Sequence, residues 1–161
     1  MLFRSIAYHR FNGMLHRDLK PANVLLAEHW VAKVDDFGSS FRLSANGADA
    51  AGGLDGGIHG TPAYMAPEVI SKKYSNKADI FSAAIMFGEL FSGRRADMSA
   101  DDPVGELLDA AAPRDAPTEA MYVLTRFMLH AKSSERPTAE AALAKLDELC
   151  CHSCRSWWWS G

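Results

Sequence analysis

The chain has 161 residues, of which 48% are hydrophobic and 23% are charged, a composition that argues against wholesale disorder. Its formal net charge of −3 argues against nucleic-acid binding through a general basic field. No apolar run could span a bilayer, the N-terminus lacks the apolar core of a secretory signal, and all three cysteines follow residue 149. We therefore expect one domain without a disulfide framework, in an intracellular, cytoplasmic setting.

The first third of the chain predicts a helix end, a hairpin and a long loop. Residues 1–9 are expected to finish a helix that stops at the Asn12-Gly13 turn. Two short apolar runs, 24–26 and 31–34, surround polar residues and predict a small β-hairpin. Residues 39–60 are predicted to form a loop, since six glycines and four alanines lie within 45–60 and can bury little surface.

A central helix is predicted from Lys77 to Ser92. Asn76 is its expected N-cap, and Gly93 is expected to end it. Its apolar side chains surround the axis and do not form a stripe, which is typical of a helix buried at the centre of a domain.

Three further helices are predicted, near 103–111, 118–130 and 138–150. Thr118 and Thr138 are expected to open the last two. The predicted fold class is therefore mainly α with a small β-hairpin. We expect residues 1–150 to form the domain and the Cys/Trp-rich residues 151–161 to be a disordered tail.

Two short motifs carry the chemistry, His16-Arg17-Asp18-Leu19-Lys20-Pro21-Ala22-Asn23 and Asp36-Phe37-Gly38. Phosphoryl transfer requires positioning and charge neutralisation more than covalent help from the protein. Asp18 could accept a hydroxyl proton and orient the attacking oxygen, and Lys20 could reach the oxygens of the transferred phosphate. Asn23 and Asp36 supply oxygen ligands of the kind that Mg²⁺ prefers.

These motifs resemble those of the eukaryotic protein kinase family, and the likeness extends over residues 1–150. Five landmarks occur in the family's order: His16-Arg17-Asp18 with Asn23, Asp36-Phe37-Gly38, the segment 60–68, Asp79, and Glu135-Arg136-Pro137. A lone Asp-Phe-Gly is weak evidence, but an ordered set of this kind is specific. The resemblance implies the kinase-like fold, with this sequence covering its C-terminal large lobe.

The resemblance also implies the roles of single residues. Catalysis is expected from Asp18, Lys20 and Thr61, with Thr61 hydrogen-bonded to both of the others. ATP contacts are expected from Lys20, Asn23, Leu25 and Asp36, with Leu25 beneath the adenine ring and Mg²⁺ on Asn23 and Asp36. Structural roles are expected for His16, Arg17, Phe37, Gly38, Glu68, Asp79 and Arg136.

Within that structural group, four contacts are implied. His16 and Phe37 are expected to stack in the core, and Asp79 to anchor the catalytic loop from below. Glu68 and Arg136 are expected to form a partly buried ion pair, in which loss of either partner would leave the other charge unpaired.

Substrate and control follow from the same likeness. Lys20 and Gly60-Thr61 resemble serine/threonine kinases, and 23–26 with 79–82 resemble the tyrosine-kinase-like branch. Arg17 receives an activation-loop phosphate in many relatives. Residues 45–60 contain no Ser, Thr or Tyr, so that docking is expected to be absent or to depend on Ser44. Alternatively, Arg17 simply braces the loop.

The family's small lobe, with its glycine-rich loop and strand lysine, is expected before residue 1 and is not found in this sequence. We therefore expect the 161 residues alone to show no measurable phosphotransfer and to be marginally stable. The expected ligands of the kinase are ATP, Mg²⁺ and a protein with Ser or Thr hydroxyls, with no nucleic acid and no membrane span. The alternative is a non-catalytic remnant of a kinase lobe that acts as a protein-binding module.

Overall fold

The computed structural model describes residues 14–42, 50–51, 57–71, 73–75, 77–97, 102–112 and 116–153. Within these ranges the α-helices are α1 (Pro67–Ile70), α2 (Ala78–Ser92), α3 (Pro103–Ala110), α4 (Ala116–Met128) and α5 (Ala139–Ser153). The strands are β1 (Met14–Leu15), β2 (Val24–Ala27), β3 (Val31–Val34), β4 (Phe41–Arg42), β5 (Ala50–Ala51) and β6 (Lys73–Tyr74). The predicted fold class, mainly α with a small hairpin, is confirmed.

The predicted hairpin is strands β2 and β3. Val24 pairs with Val34 and Ala27 with Val31, so the ribbon closes over a 3₁₀ turn at Glu28–Trp30. Leu25 and Leu26 are neighbours in β2, so their side chains point to opposite faces of the hairpin. They are 51% and 64% exposed, so neither is buried against the helices. Beyond the open end of the hairpin, the backbone N–H of Asp35 donates to the Asn23 carbonyl at 2.9 Å, which brings the two chemical motifs together.

Helix α2 forms the centre of the core, as predicted from the apolar side chains on all sides of its axis. Its residues 78–86 are buried without interruption, and α3 and α4 pack against it. Gly93 ends the helix in the left-handed region, at φ 68°, and donates its N–H to the Glu89 carbonyl. Gly88 lets α3 approach, because a Cβ there would lie 2.7 Å from the Leu107 side chain.

The predicted N-cap of α2 was wrong. The helix begins at Ala78 with Lys77 in the capping position, and Asn76 lies outside the described residues. The Lys77 side chain makes no capping hydrogen bond. The Ser75 hydroxyl, two residues upstream, accepts the Lys77 N–H at 3.2 Å and so satisfies that backbone donor.

The predicted loop over 39–60 was also partly wrong. Strand β4 pairs with β1, and β5 pairs with β6, each over two residues. Strands this short carry no alternating hydrophobic pattern, because each contributes only one side chain to a face. They are imposed by distant partners, 14–15 and 73–74.

The later helices lie close to their predicted positions. Asp102 caps α3 by accepting the Gly105 N–H at 2.9 Å, and Thr138 caps α5 by accepting the Ala141 N–H at 3.2 Å. Helix α4 begins at Ala116, before the predicted Thr118. Helix α5 continues to Ser153, past the predicted boundary at 150.

Other predictions fall on parts of the chain that the structure does not cover. The helix end at 1–9, the Asn12-Gly13 turn and the tail beyond 153 lie outside the described residues. Among the helices that are described, none combines the length and the apolar character needed to cross a bilayer.

Candidate active site

A buried carboxylate holds the catalytic loop in place. Asp79, in the first turn of α2 and 4% exposed, accepts the backbone N–H of His16 at 2.8 Å and that of Arg17 at 3.0 Å. Burying a carboxylate is costly unless such donors compensate it. Asp79 therefore fixes the loop from below, as predicted, and does so at the point where Arg17 adopts a left-handed backbone with φ 67°.

Three side chains converge on one another directly above this anchor. The Lys20 ammonium lies 2.8 Å from Asp18 Oδ2, and the Thr61 hydroxyl donates to Asp18 Oδ1 at 2.7 Å. Lys20 Nζ also donates to Thr61 Oγ1 at 2.9 Å, which closes a triangle. Asn23 adds a fourth contact, since its Nδ2 donates to the Asp18 carbonyl at 2.9 Å and reaches Oδ2 at 3.3 Å. The hydrogen bonds that the sequence predicts for Thr61 are present.

The triangle determines the charge state of Asp18. Partial burial by itself raises the pKa of this carboxyl, but hydrogen bonds from Lys20, Thr61 and Asn23 and the charge of Lys20 outweigh it and lower the pKa below 3.8. Since the folded pKa is depressed, the stabilisation from this carboxylate is present above pH 3.8 and is lost as the pH falls through the folded value. Asp18 is therefore ionised at neutral pH.

The two predicted metal ligands lie at the open end of the hairpin. Asn23 is 6% exposed, and its amide nitrogen is committed to Asp18, which leaves the amide oxygen as the atom available to a cation. Asp36 is exposed, with a left-handed backbone at φ 59°, and its Oδ1 accepts the Gly38 N–H at 3.2 Å. Among the described residues, no three His, Cys, Asp or Glu side chains group together as a metal cluster.

The predicted stack of His16 on Phe37 is an edge contact instead. The ring centroids lie 5.1 Å apart at 63°, and Phe37 is 38% exposed whereas His16 is 1% exposed. His16 Nε2 lies 2.9 Å from the Asp35 carbonyl, which can only accept, so that nitrogen carries the proton. Its Nδ1 accepts the Asp18 N–H at 3.3 Å, so His16 braces both motifs as a neutral ring.

The predicted ion pair of Glu68 and Arg136 is present. Both carboxylate oxygens of Glu68 are 2.6 Å from the guanidinium, and the Arg136 side chain is fully buried. Arg136 also donates to three backbone carbonyls and lies over the Phe81 ring, 4.9 Å from its centroid. The pair joins α1 to the turn before α5.

The sequence did not reveal a second set of polar contacts, around Tyr64. Its hydroxyl donates to Glu89 Oε2 at 2.8 Å, and its carbonyl accepts the Ser82 hydroxyl at 2.7 Å, so α2 holds it at two points. Burial first, and then the hydrogen bond and charge of Glu89, raise the Tyr64 pKa to about 12. A signal existed, because Glu89 is the only charged residue in α2 after Asp79.

The space enclosed by these residues is small. A cavity of about 10 Å³, about the space of one water, lies beside Asp18 and is lined by Arg17, Leu19, Thr61, Tyr64, Met65 and Ser82. Leu25 and Asp36, for which the sequence predicts ATP contacts, are exposed and do not line this cavity.

Comparison with known proteins finds one family model and relatives that are all protein kinases. A family model described as the protein kinase domain matches residues 1–146. The serine/threonine-protein kinase PEPKR2 of Arabidopsis thaliana is 42% identical over 81 residues, which are 50% of this chain and 16% of that protein. The mitogen-activated protein kinase kinase kinase mkh1 of Cytospora mali is 36% identical over 153 residues, which are 87% of this chain and 8% of that protein. The chain thus spans less than a fifth of either relative.

Proposed function

The chain belongs to the serine/threonine type of the protein kinase family, and we propose that it forms the catalytic surface for transfer of the ATP γ-phosphate to serine or threonine hydroxyls of proteins. The closed triangle of Asp18, Lys20 and Thr61 carries the proposal. A solely structural loop would not require a carboxylate, a cation and a hydroxyl to meet within 3 Å of one another.

Asp18 would orient the substrate hydroxyl. Because its pKa is lowered, it is a weak base, which suits a reaction whose transition state is loose and needs the proton removed late. Its carboxylate would accept the hydrogen bond of the incoming serine or threonine and hold that oxygen in line with the phosphate. Lys20, 2.8 Å away, would hold its positive charge beside the transferred oxygens.

ATP and Mg²⁺ are the cofactors that the family implies, and the residues present fit them. Asn23 offers an amide oxygen and Asp36 a carboxylate, the hard oxygen donors that suit Mg²⁺ completed by phosphate oxygens. When bound, the cation neutralises charge on the phosphates. Leu25, half exposed on β2, would offer its apolar side chain to the adenine. An ATP-dependent role is consistent with an intracellular, cytoplasmic location.

The assay measures transfer of labelled phosphate to a peptide library containing Ser, Thr and Tyr. It uses the 161-residue chain and, in parallel, the product of the full transcript that encodes it. In the form that turns over, Asp18→Asn is expected to lower kcat by about 10²- to 10⁴-fold with nucleotide affinity unchanged, because only the orientation of the hydroxyl is lost. Asp147→Asn, on the exposed face of α5, is the matched control.

Two results would overturn the proposal. Turnover by Asp18→Asn at the rate of Asp147→Asn would remove Asp18 from the reaction. Absence of turnover in both protein forms would favour a protein-binding module, the alternative reading of the sequence.

A further inference from the structure

The side chain of Arg17 is held by the segment that follows Asp36-Phe37-Gly38. Its Nε donates to the Ser39 carbonyl at 2.5 Å, and its guanidinium carbon lies 5.4 Å from the centroid of the Phe41 ring. Both contacts come from within three residues of chain, the second of them from strand β4. Cations over an aromatic face at this distance are attracted by the ring quadrupole.

The backbone of Arg17 is constrained as well. Its N–H donates to Asp79, and its φ of 67° is the left-handed value that a non-glycine residue keeps only where its surroundings hold it. Its carbonyl lies against Gly60, where a Cβ would come within 2.4 Å of that oxygen. Arg17 thus contacts the start and the end of the segment 39–60 and the central helix, immediately before Asp18.

We propose that Phe41 is a positioning residue: together with the Ser39 carbonyl, its ring holds Arg17 and so keeps β4 against the catalytic loop without a phosphate group. The pairing of Leu15 with Phe41 fixes the backbone position of Phe41, since Leu15 is buried and precedes His16 directly. Loss of the ring would loosen the β1–β4 pair and the side chain of Arg17 together.

This arrangement addresses the alternatives that the sequence left open for Arg17. A carbonyl and an aromatic face give the guanidinium partners that need no modification, in a chain where residues 45–60 contain no Ser, Thr or Tyr. Ser44, the other candidate, lies outside the described residues. Arg17 therefore braces the loop. The Phe41 side chain, 24 positions further along the chain, takes part in this contact.

The test is NMR of the 161-residue chain, with phosphate content checked by mass spectrometry. In the wild type, the Arg17 Hδ protons are expected to be shifted upfield by the Phe41 ring. Phe41→Tyr keeps the aromatic face and is expected to keep this shift. Phe41→Leu keeps an apolar side chain without a π face, and is expected to lose the shift and to speed amide exchange in the β1–β4 pair about 2- to 5-fold. Phe127→Leu, on α4, controls for loss of any partly exposed ring.

Three results would overturn the proposal. One is a wild-type spectrum without the upfield shift, which decides the matter even if Phe41→Leu does not fold. Another is an equal rate of amide exchange in the β1–β4 pair of Phe41→Leu and Phe41→Tyr, which would show that the ring contributes only apolar packing. The third is loss of shift and protection on phosphatase treatment. The importance of Arg17 for Asp18 rests on the proposed function, but none of these readouts needs phosphotransfer, so the two can fail separately.

Discussion

Replacing either partner of the buried ion pair is expected to destabilise the fold, and by unequal amounts. The guanidinium of Arg136 uses all five of its N–H groups: one to His130 O, two shared between Glu68 Oε1 and Lys77 O, and two shared between Glu68 Oε2 and Ala131 O. Glu68 is 12% exposed at its side chain, whereas that of Arg136 is completely buried. The arginine therefore satisfies three backbone carbonyls in addition to the carboxylate.

The magnitudes follow from what each variant leaves unpaired. Glu68→Gln leaves a buried cation with three carbonyls and one amide oxygen, and breaking a buried pair in this way costs about 3 kcal/mol. Arg136→Met removes the ion pair and takes the arginine donors from the His130 and Ala131 carbonyls, whereas the Lys77 carbonyl keeps the Phe81 N–H at 3.3 Å and Glu68 Oε1 keeps the Ser75 hydroxyl at 3.4 Å. Each buried unsatisfied group costs about 1–3 kcal/mol, so the free energy of unfolding should fall by about 5 kcal/mol or more. Typical domains have only about 5–15 kcal/mol in total.

The assay is urea unfolding followed by far-ultraviolet circular dichroism. The control is Glu135→Gln, which removes an exposed carboxylate 3.3 Å from Lys132 Nζ and 3.6 Å from His130 Nδ1, and should cost less than about 1 kcal/mol. We expect Glu68→Gln to remain folded with a lower urea midpoint, and Arg136→Met to lose more. A smaller loss in Arg136→Met than in Glu68→Gln, or losses as small as that of Glu135→Gln, would refute the reasoning.

Two other predictions concern the segment that leads from Thr61 into α1. Tyr64→Phe should abolish the phenolate transition at about pH 12 in near-ultraviolet absorbance, because burial and Glu89 raise that pKa. Since the folded pKa is raised, the wild type should lose stability between pH 10.0 and about 12, and the variant should lose less; identical alkaline unfolding would contradict this. Gly60→Ala should lower the melting temperature more than Gly93→Ala, because φ is positive at both sites but only Gly60 meets an obstacle, the Arg17 carbonyl. Equal shifts would remove the steric argument.

The sequence predicted the features that arise from local patterns. The hairpin at 24–34 and the buried helix α2 follow from apolar runs, and Gly93 ends that helix where a left-handed residue was expected. The contacts of Asp18 with Lys20 and Thr61 were predicted through family resemblance and are present. These residues lie in segments whose composition or motif is sufficient to identify them.

The features that were missed depend on distant parts of the chain. Strands β4 and β5 have two residues each and exist because β1 and β6 pair with them. Phe37 is 38% exposed, and the burial of such a ring depends on packing between distant segments, which no local pattern encodes. The contact of Tyr64 with Glu89 joins residues 25 positions apart, and only the packing of the segment on α2 brings them together.

The most direct test of the central account is a comparison of two substitutions at Thr61. Thr61→Ser keeps the hydroxyl that bonds Asp18 and Lys20, whereas Thr61→Val has the same shape and removes both bonds. The measurement is kcat for phosphotransfer to serine peptides by the form of the protein that turns over, the 161-residue chain or the product of the full transcript, with nucleotide affinity recorded alongside. If the triangle holds Asp18 for the reaction, Thr61→Ser keeps near wild-type kcat and Thr61→Val loses about tenfold or more. Equal turnover by Thr61→Val and Thr61→Ser would contradict the account.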